Sequence, residues 1–297
     1  MSIFEGAGVA LITPMKNDGS VNYDKLEEIL EFQIEGGTDA IISCGTTGEA
    51  STLSEKEHID AIRFTCEKVK GRVPVIAGTG SNSTQTAIQL STEAKEAGAD
   101  ALLLVTPYYN KSTQGGLKAH FKAVADAAKL PIILYNIPGR TGVKIEAETL
   151  IDLWKNVDNI VAVKDATGDL AETVKVLSMS DGGVDVYSGN DDITVPLMSV
   201  GGKGVISVLS NILPKETHDM VKACLDGDFK TGAAAQLKYY ELIKALFCEV
   251  NPIPVKMAMN IMGMDVGPLR LPLTEMEKAH ADYLREEMKK VGIAVKN

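Results

Sequence analysis

The run Asn159-Ile160-Val161-Ala162-Val163-Lys164-Asp165-Ala166-Thr167-Gly168 ends an apolar stretch of strand length in a lysine. Desolvation disfavours an ammonium ion, so Lys164 in such surroundings gives up its proton more readily than a lysine in water. A neutral amine attacks carbonyl carbons, and the product is a Schiff base. Two plainer readings compete: a lysine that reaches past the strand end to solvent, or one that pairs with Asp165. What decides between them is the company the lysine keeps.

Other residues have types suited to the same chemistry. Thr46 and Thr47, in Gly45-Thr46-Thr47-Gly48-Glu49, offer hydroxyls and backbone N–H groups to an anion, or else a threonine cap to the next helix. Tyr135 ends an apolar run, where its phenol could exchange protons with an imine or make a single core hydrogen bond. Arg140 lies among glycines, placed to grip a carboxylate at two points or to sit plainly on the surface. Tyr108 and Tyr109 are adjacent and also read as interface aromatics. Gly78-Thr79-Gly80-Ser81-Asn82 lacks the third glycine and the later acidic residue of a dinucleotide fingerprint, so it reads as a turn. His58, His120, His218 and His280 show no ligand spacing, and the sequence predicts neither a metal centre nor a cofactor.

These residues need a scaffold that brings them together. Eight Val/Ile/Leu-rich runs alternate with stretches of helical spacing: Gly8 to Ile12, Asp39 to Ser43, Val73 to Ala77, Ala101 to Val105, Ile132 to Tyr135, Ile160 to Lys164, Val184 to Tyr187 and Gly204 to Val208. Near-continuous apolar strands alternating with helices predict a parallel sheet covered on both faces. Eight even units predict an α/β fold of the (β/α)8 TIM-barrel type, over residues 1–227, ahead of an open doubly wound sheet. Beyond Val208 only helical segments follow, and residues 228–297 are expected to form a C-terminal helical appendage. Barrel sites form at the C-terminal ends of the strands. Those ends carry Thr13, Thr46-Thr47, Thr79, Tyr108-Tyr109, Tyr135 to Gly142, Lys164, Gly189-Asn190-Asp191 and Ile206-Ser207. Lys203 precedes the eighth strand, on the opposite face, and reads as structural.

The 297 residues carry a net charge of -10, which offers no basic surface to nucleic acid. No export signal or bilayer-spanning run is visible, so a cytoplasmic protein without membrane contact is expected. Cys44, Cys66, Cys224 and Cys248 are widely spaced and fit free thiols in a reducing compartment.

An amine, a phenol, an anion loop and a guanidinium, without metal ligands, are the parts of a class I aldolase, whose protonated imine serves as the electron sink. On Gly45-Thr46-Thr47-Gly48-Glu49, Tyr135-Asn136-Ile137-Pro138-Gly139-Arg140-Thr141-Gly142 and Lys164-Asp165-Ala166-Thr167-Gly168, the chain resembles the pyruvate-dependent class I aldolases of the N-acetylneuraminate lyase family. The Arg140 segment is most similar to the branch that makes 4-hydroxy-tetrahydrodipicolinate. The resemblance covers essentially the whole chain, including Asn251-Pro252-Ile253-Pro254-Val255-Lys256 and Leu269-Arg270-Leu271-Pro272.

The resemblance implies that Lys164 forms the imine with pyruvate and that Tyr135 is the general acid/base, linked through Thr46 to Tyr109 as a proton relay. It implies that Thr46 and Thr47 bind the pyruvate carboxylate, that Arg140 holds the carboxylate of L-aspartate-β-semialdehyde, and that Gly189 and Ile206 line the pocket. Tyr109 would reach the site of a neighbouring subunit, which implies a homo-oligomer, most often a tetramer. The product would commit carbon to diaminopimelate and lysine. Lysine-inhibited members use a histidine early in the second helix and a glutamate in the third; Glu55 and Thr86 stand in those places here, so feedback is expected to be weak or absent. The rival readings are another pyruvate aldolase, such as N-acetylneuraminate lyase or a keto-deoxy-sugar-acid aldolase, and a non-catalytic metabolite-binding barrel.

Overall fold

The structure is a computed structural model that describes residues 2–296. Eight strands, β1 (Gly6–Ala10), β2 (Ala40–Ser43), β3 (Val75–Gly78), β4 (Ala101–Val105), β5 (Ile132–Asn136), β6 (Ile160–Asp165), β7 (Asp185–Ser188) and β8 (Gly204–Ser207), form one closed barrel. Every neighbouring pair is parallel, and β1 closes on β8 from Gly6↔Gly204 to Val9↔Ser207. The expected (β/α)8 architecture is the one observed.

The first strand lies two residues earlier than its apolar run. Leu11 and Ile12 remain buried, but the Ile12 N–H is taken by the Asn211 side chain at 3.1 Å instead of a ladder carbonyl. At the other end Gly6 adopts φ +129°, and a Cβ there would collide with the Asp39 carboxylate that accepts the Ala7 N–H. The run of hydrophobic residues therefore marks burial, while the hydrogen bonding sets the strand.

Alternate strand residues point inward and fill the barrel, among them Ala10, Ile42, Leu103, Ile133, Ala162 and Ile206. The Tyr187 ring stacks on Phe4 with centroids 4.3 Å apart, and its hydroxyl donates to the Phe4 carbonyl at 2.7 Å. That pair plugs the barrel on the side from which β1 starts. The intervening strand residues meet the surrounding helices in two large apolar clusters. Ser54 starts the helix Glu55–Val69 with a capping box to Glu57, which fixes where the turn after β2 ends.

The helices Phe229–Leu246, Ile253–Ile261 and Lys278–Lys290 follow the last barrel helix, Pro214–Leu225. Leu242, Leu246, Val255, Met259 and Leu284 share one apolar cluster with Val9, Leu11, Ile12, Val208 and Leu209. Polar links join the two parts as well: the Gln236 side chain donates to the Asp191 carbonyl and accepts the Val195 N–H. The helical segment therefore packs directly over the end of the barrel where the strands finish. No helix among the described residues is long and apolar enough to cross a membrane.

Candidate active site

A cavity of about 640 Å³ opens at the C-terminal ends of the strands, within the usual size for small-molecule sites. Lys164, Tyr135, Thr46, Thr47, Arg140 and Gly189 all line it. Lys164 ends β6 beside Tyr135 of β5 in the strand register, and its ammonium lies 4.4 Å from the centre of the Tyr135 ring. Only 6% of Lys164 is exposed, so it does not reach out to bulk solvent. Asp165 does not pair with it either: its carboxylate faces the outer side, accepting from Thr167 N, Thr167 Oγ1 and Thr173 Oγ1 at 2.7–2.9 Å. Both plainer readings of the lysine fall.

Burial pushes the Lys164 ammonium from its usual 10.5 down to about 8; the Asp191 carboxylate opposes the shift and Arg140 adds to it. At pH 7 that leaves about one lysine in ten neutral, against about one in 3,000 for a solvated lysine. Burial pushes Tyr135 up to about 12, with Arg140 and a hydrogen bond to Thr46 pulling the other way, so the phenol keeps its proton at neutral pH. Gly189 is required by space: a Cβ there would lie 2.6 Å from the Ala166 Cβ and 3.1 Å from the Lys164 Cε. It lets β7 pass close to the lysine side chain.

The threonine turn is held from several sides. Thr13 Oγ1 donates to the Gly48 carbonyl at 2.7 Å, and the Glu49 N–H returns to the Thr46 carbonyl at 3.1 Å. Thr47 is buried and accepts from Asn251 Nδ2 at 2.9 Å. Arg140 rides on the short helix Pro138–Thr141, and its Nη2 donates to the Asn251 carbonyl at 3.2 Å. Asn136 anchors that segment by exchanging both amide hydrogen bonds with the Ile145 backbone. Thr46, Thr47 and Arg140 thus line one cavity from the segments after β2 and β5, together with the lysine on β6.

Two residues named from the sequence lie elsewhere. Ile206 is in the barrel core beneath the cavity, packed in the same cluster as Tyr135. Tyr109 is 92% exposed at φ +70°, outside this cavity. Two residues gain importance. Asp191 is buried in the cavity wall, where Oδ2 accepts the Val208 and Leu209 N–H groups and Oδ1 has no partner among the described residues. Asn251, whose Oδ1 is likewise unpartnered, lies within a motif that the sequence marked without assigning it a task. Lys203 pairs with Glu5 at 2.9 Å on the far side, as its structural reading expected. Cys44 is fully buried and its thiol is pushed up to about 12, so it stays protonated and unreactive. A second cavity of about 450 Å³ backs onto the same threonine turn and is lined by Glu55, His58, Thr86 and Tyr108.

The family model of the Dihydrodipicolinate synthetase family matches residues 3–291. A 4-hydroxy-tetrahydrodipicolinate synthase of Lachnoclostridium phytofermentans is 59% identical over 293 residues, covering 99% of this chain and 100% of that one. Among solved structures, dihydrodipicolinate synthase from Aquifex aeolicus superposes with a TM-score of 0.97 at 46% identity, covering 99% of this chain and all of that one. The Acinetobacter baumannii enzyme complexed with pyruvate superposes with a TM-score of 0.95 at 46% identity, covering 97% and 99% of the two chains. A barrel whose cavity at the strand ends gathers a buried lysine, a phenol, a threonine turn and an arginine, matched over nearly its whole length by these relatives, belongs to the Dihydrodipicolinate synthetase family.

Proposed function

We propose that the protein condenses pyruvate with L-aspartate-β-semialdehyde to 4-hydroxy-tetrahydrodipicolinate, through an imine on Lys164. The observation that carries this reading is the buried Lys164 amine with its proton loosened to about 8, beside a protonated Tyr135 in the same cavity. The amine attacks the keto carbon of pyruvate, and loss of water leaves an iminium whose positive charge draws out a methyl proton to give an enamine. The enamine carbon then adds to the aldehyde, and the amino group of the semialdehyde attacks the imine carbon, closing the ring and expelling the Lys164 amine. Tyr135 moves the protons at the keto oxygen and the new hydroxyl, and the Thr46 hydroxyl connects it to the loop. Thr46 and Thr47 hold the pyruvate carboxylate, and Gly189 leaves room for the adduct.

The reading extends to a second copy of the chain. Tyr109, exposed and held in the left-handed region, completes the relay from a neighbouring subunit, with a tetramer as the assembly. The protein acts in the cytoplasm, and no nucleic acid takes part. Turnover of the two substrates, coupled to a reductase that consumes the product, tests the whole proposal; imine formation without turnover would move the acceptor to a sugar-acid aldehyde.

Arg140 supplies the discrimination. Its guanidinium faces the cavity and, among the described residues, is bound through one nitrogen to Asn251, which leaves the rest of the fork for a carboxylate. Arg140→Ala is expected to lower kcat/KM for the semialdehyde by about 10–100-fold while borohydride trapping of pyruvate stays near wild type. Equal loss of both would remove the assigned role.

Lysine feedback is expected to be weak or absent. Glu55 stands at the mouth of the second cavity, tied to Gln89 Nε2 at 3.3 Å, where its charge repels a lysine carboxylate. Thr86 supplies no charge for the ammonium group. Inhibition assays should show at most slight loss of rate in millimolar lysine; half-inhibition below that range would overturn the expectation.

A further inference from the structure

Glu49 closes the threonine turn, yet its side chain runs away from the cavity into the protein. Its carboxylate is wholly buried and meets the Lys256 ammonium, 1% exposed, at 2.7 Å. The second carboxylate oxygen accepts the Arg270 N–H at 3.0 Å, and Lys256 also donates to the Pro268 carbonyl at 2.7 Å. Arg270 extends the brace, with its guanidinium donating to the Thr52 and Gly19 carbonyls and to Glu57. The partners stand 207 residues apart in sequence, one in the turn after β2 and the other in the helix Ile253–Ile261.

Burying two charges is a poor way to gain stability, since packed apolar side chains serve as well or better. What a satisfied buried pair does supply is a fixed distance and direction. The turn needs both: Glu49 sits at φ +55°, a region that a non-glycine residue adopts only when its surroundings hold it there. Its N–H bonds the Thr46 carbonyl, so the conformation of Glu49 sets that of Thr46. From the same C-terminal segment Asn251 holds the Thr47 hydroxyl. Both threonines are therefore oriented from behind by residues 251–270.

We propose that Glu49 and Lys256 are positioning residues for the carboxylate subsite, and that their buried ion pair locks the turn presenting Thr46 and Thr47, which makes the C-terminal helices part of the pyruvate site. The inference rests on the reading of that subsite as the place of the pyruvate carboxylate. Neither residue touches substrate; they act through the threonines.

The test compares the full-length wild type with Lys256→Met and with the uncharged pair Glu49→Gln/Lys256→Met, which leaves no buried charge without a partner. Three quantities are read: the pyruvate concentration for half-maximal borohydride trapping, the trapping rate at saturating pyruvate, and Tm. A displaced subsite weakens binding, so half-saturation is expected to rise about tenfold or more in both variants. The saturated rate should stay within about threefold of wild type. In the double variant Tm is expected to recover without recovery of pyruvate affinity. A wild-type half-saturation in the double variant would show that the pair contributes stability alone and would overturn the proposal. If Lys256→Met does not fold, the double variant decides by the same criterion. Absence of trapping in the wild type would be a different failure, that of the Lys164 reading itself.

Discussion

Lys164→Arg is expected to abolish turnover while leaving the protein folded. Arginine keeps a cation in the cavity but holds its proton at every accessible pH, so it cannot become the nucleophile. Removing the group that carries the intermediate should lower kcat by ~10⁴-fold or more, with no pyruvate adduct trapped by borohydride. A Lys164→Arg variant that retained more than about 1% of the wild-type rate would show that charge alone suffices, and the imine would be lost as the mechanism.

The same residue fixes a pH dependence in the wild type. With Lys164 lowered to about 8, the neutral amine and the rate of imine formation should rise as pH climbs towards 8 and level off above it. The charged groups facing the amine are Asp191, which holds the proton on, and Arg140, which helps drive it off. Tyr135 is uncharged in this range. Asp191→Asn removes the carboxylate that helps hold the proton, so the rising limb should move to lower pH in a single-turnover trapping profile. A limb that moved to higher pH would contradict the electrostatics of the site.

How far the sequence alone led is clearest at particular residues. All eight strands announced themselves, because a strand covered on both faces must be apolar throughout and Gly or polar residues break the run at each end. That pattern also put Tyr135 and Lys164 at strand ends, and so on one face of the barrel. Their adjacency across β5 and β6 followed once the strands paired in order. What the pattern could not carry was which of Lys164 and Asp165 points inward: the barrel sends consecutive side chains to opposite sides, and the outward contacts of Asp165 to Thr167 and Thr173 settle it. Asp191 was legible as a polar residue after β7, but not its burial beside the lysine. Glu49 and Lys256 were the least legible. Each stood at the end of a quoted motif without a task of its own, and the pairing that buries them depends on a helix folding back across the barrel mouth.

Tyr135→Phe gives the second large effect and isolates the proton from the scaffold. The ring stays, so the packing against Ile206 and Leu103 and the ammonium contact at 4.4 Å are kept. Only the hydroxyl goes, and with it the group that burial keeps protonated at neutral pH and that hydrogen-bonds with Thr46. Loss of a positioned general acid/base is expected to lower kcat by about 10²–10⁴-fold. Because Lys164 remains, pyruvate should still be trapped to full stoichiometry by borohydride, only more slowly, and Tm should stay close to wild type. This split separates the two residues: Lys164→Arg loses the adduct itself, whereas Tyr135→Phe loses the speed of reaching and using it. A Tyr135→Phe variant with turnover within about threefold of wild type would assign the proton transfers to water or to another group on the cavity wall, and Asp191, with its unpartnered oxygen, would be the first to examine.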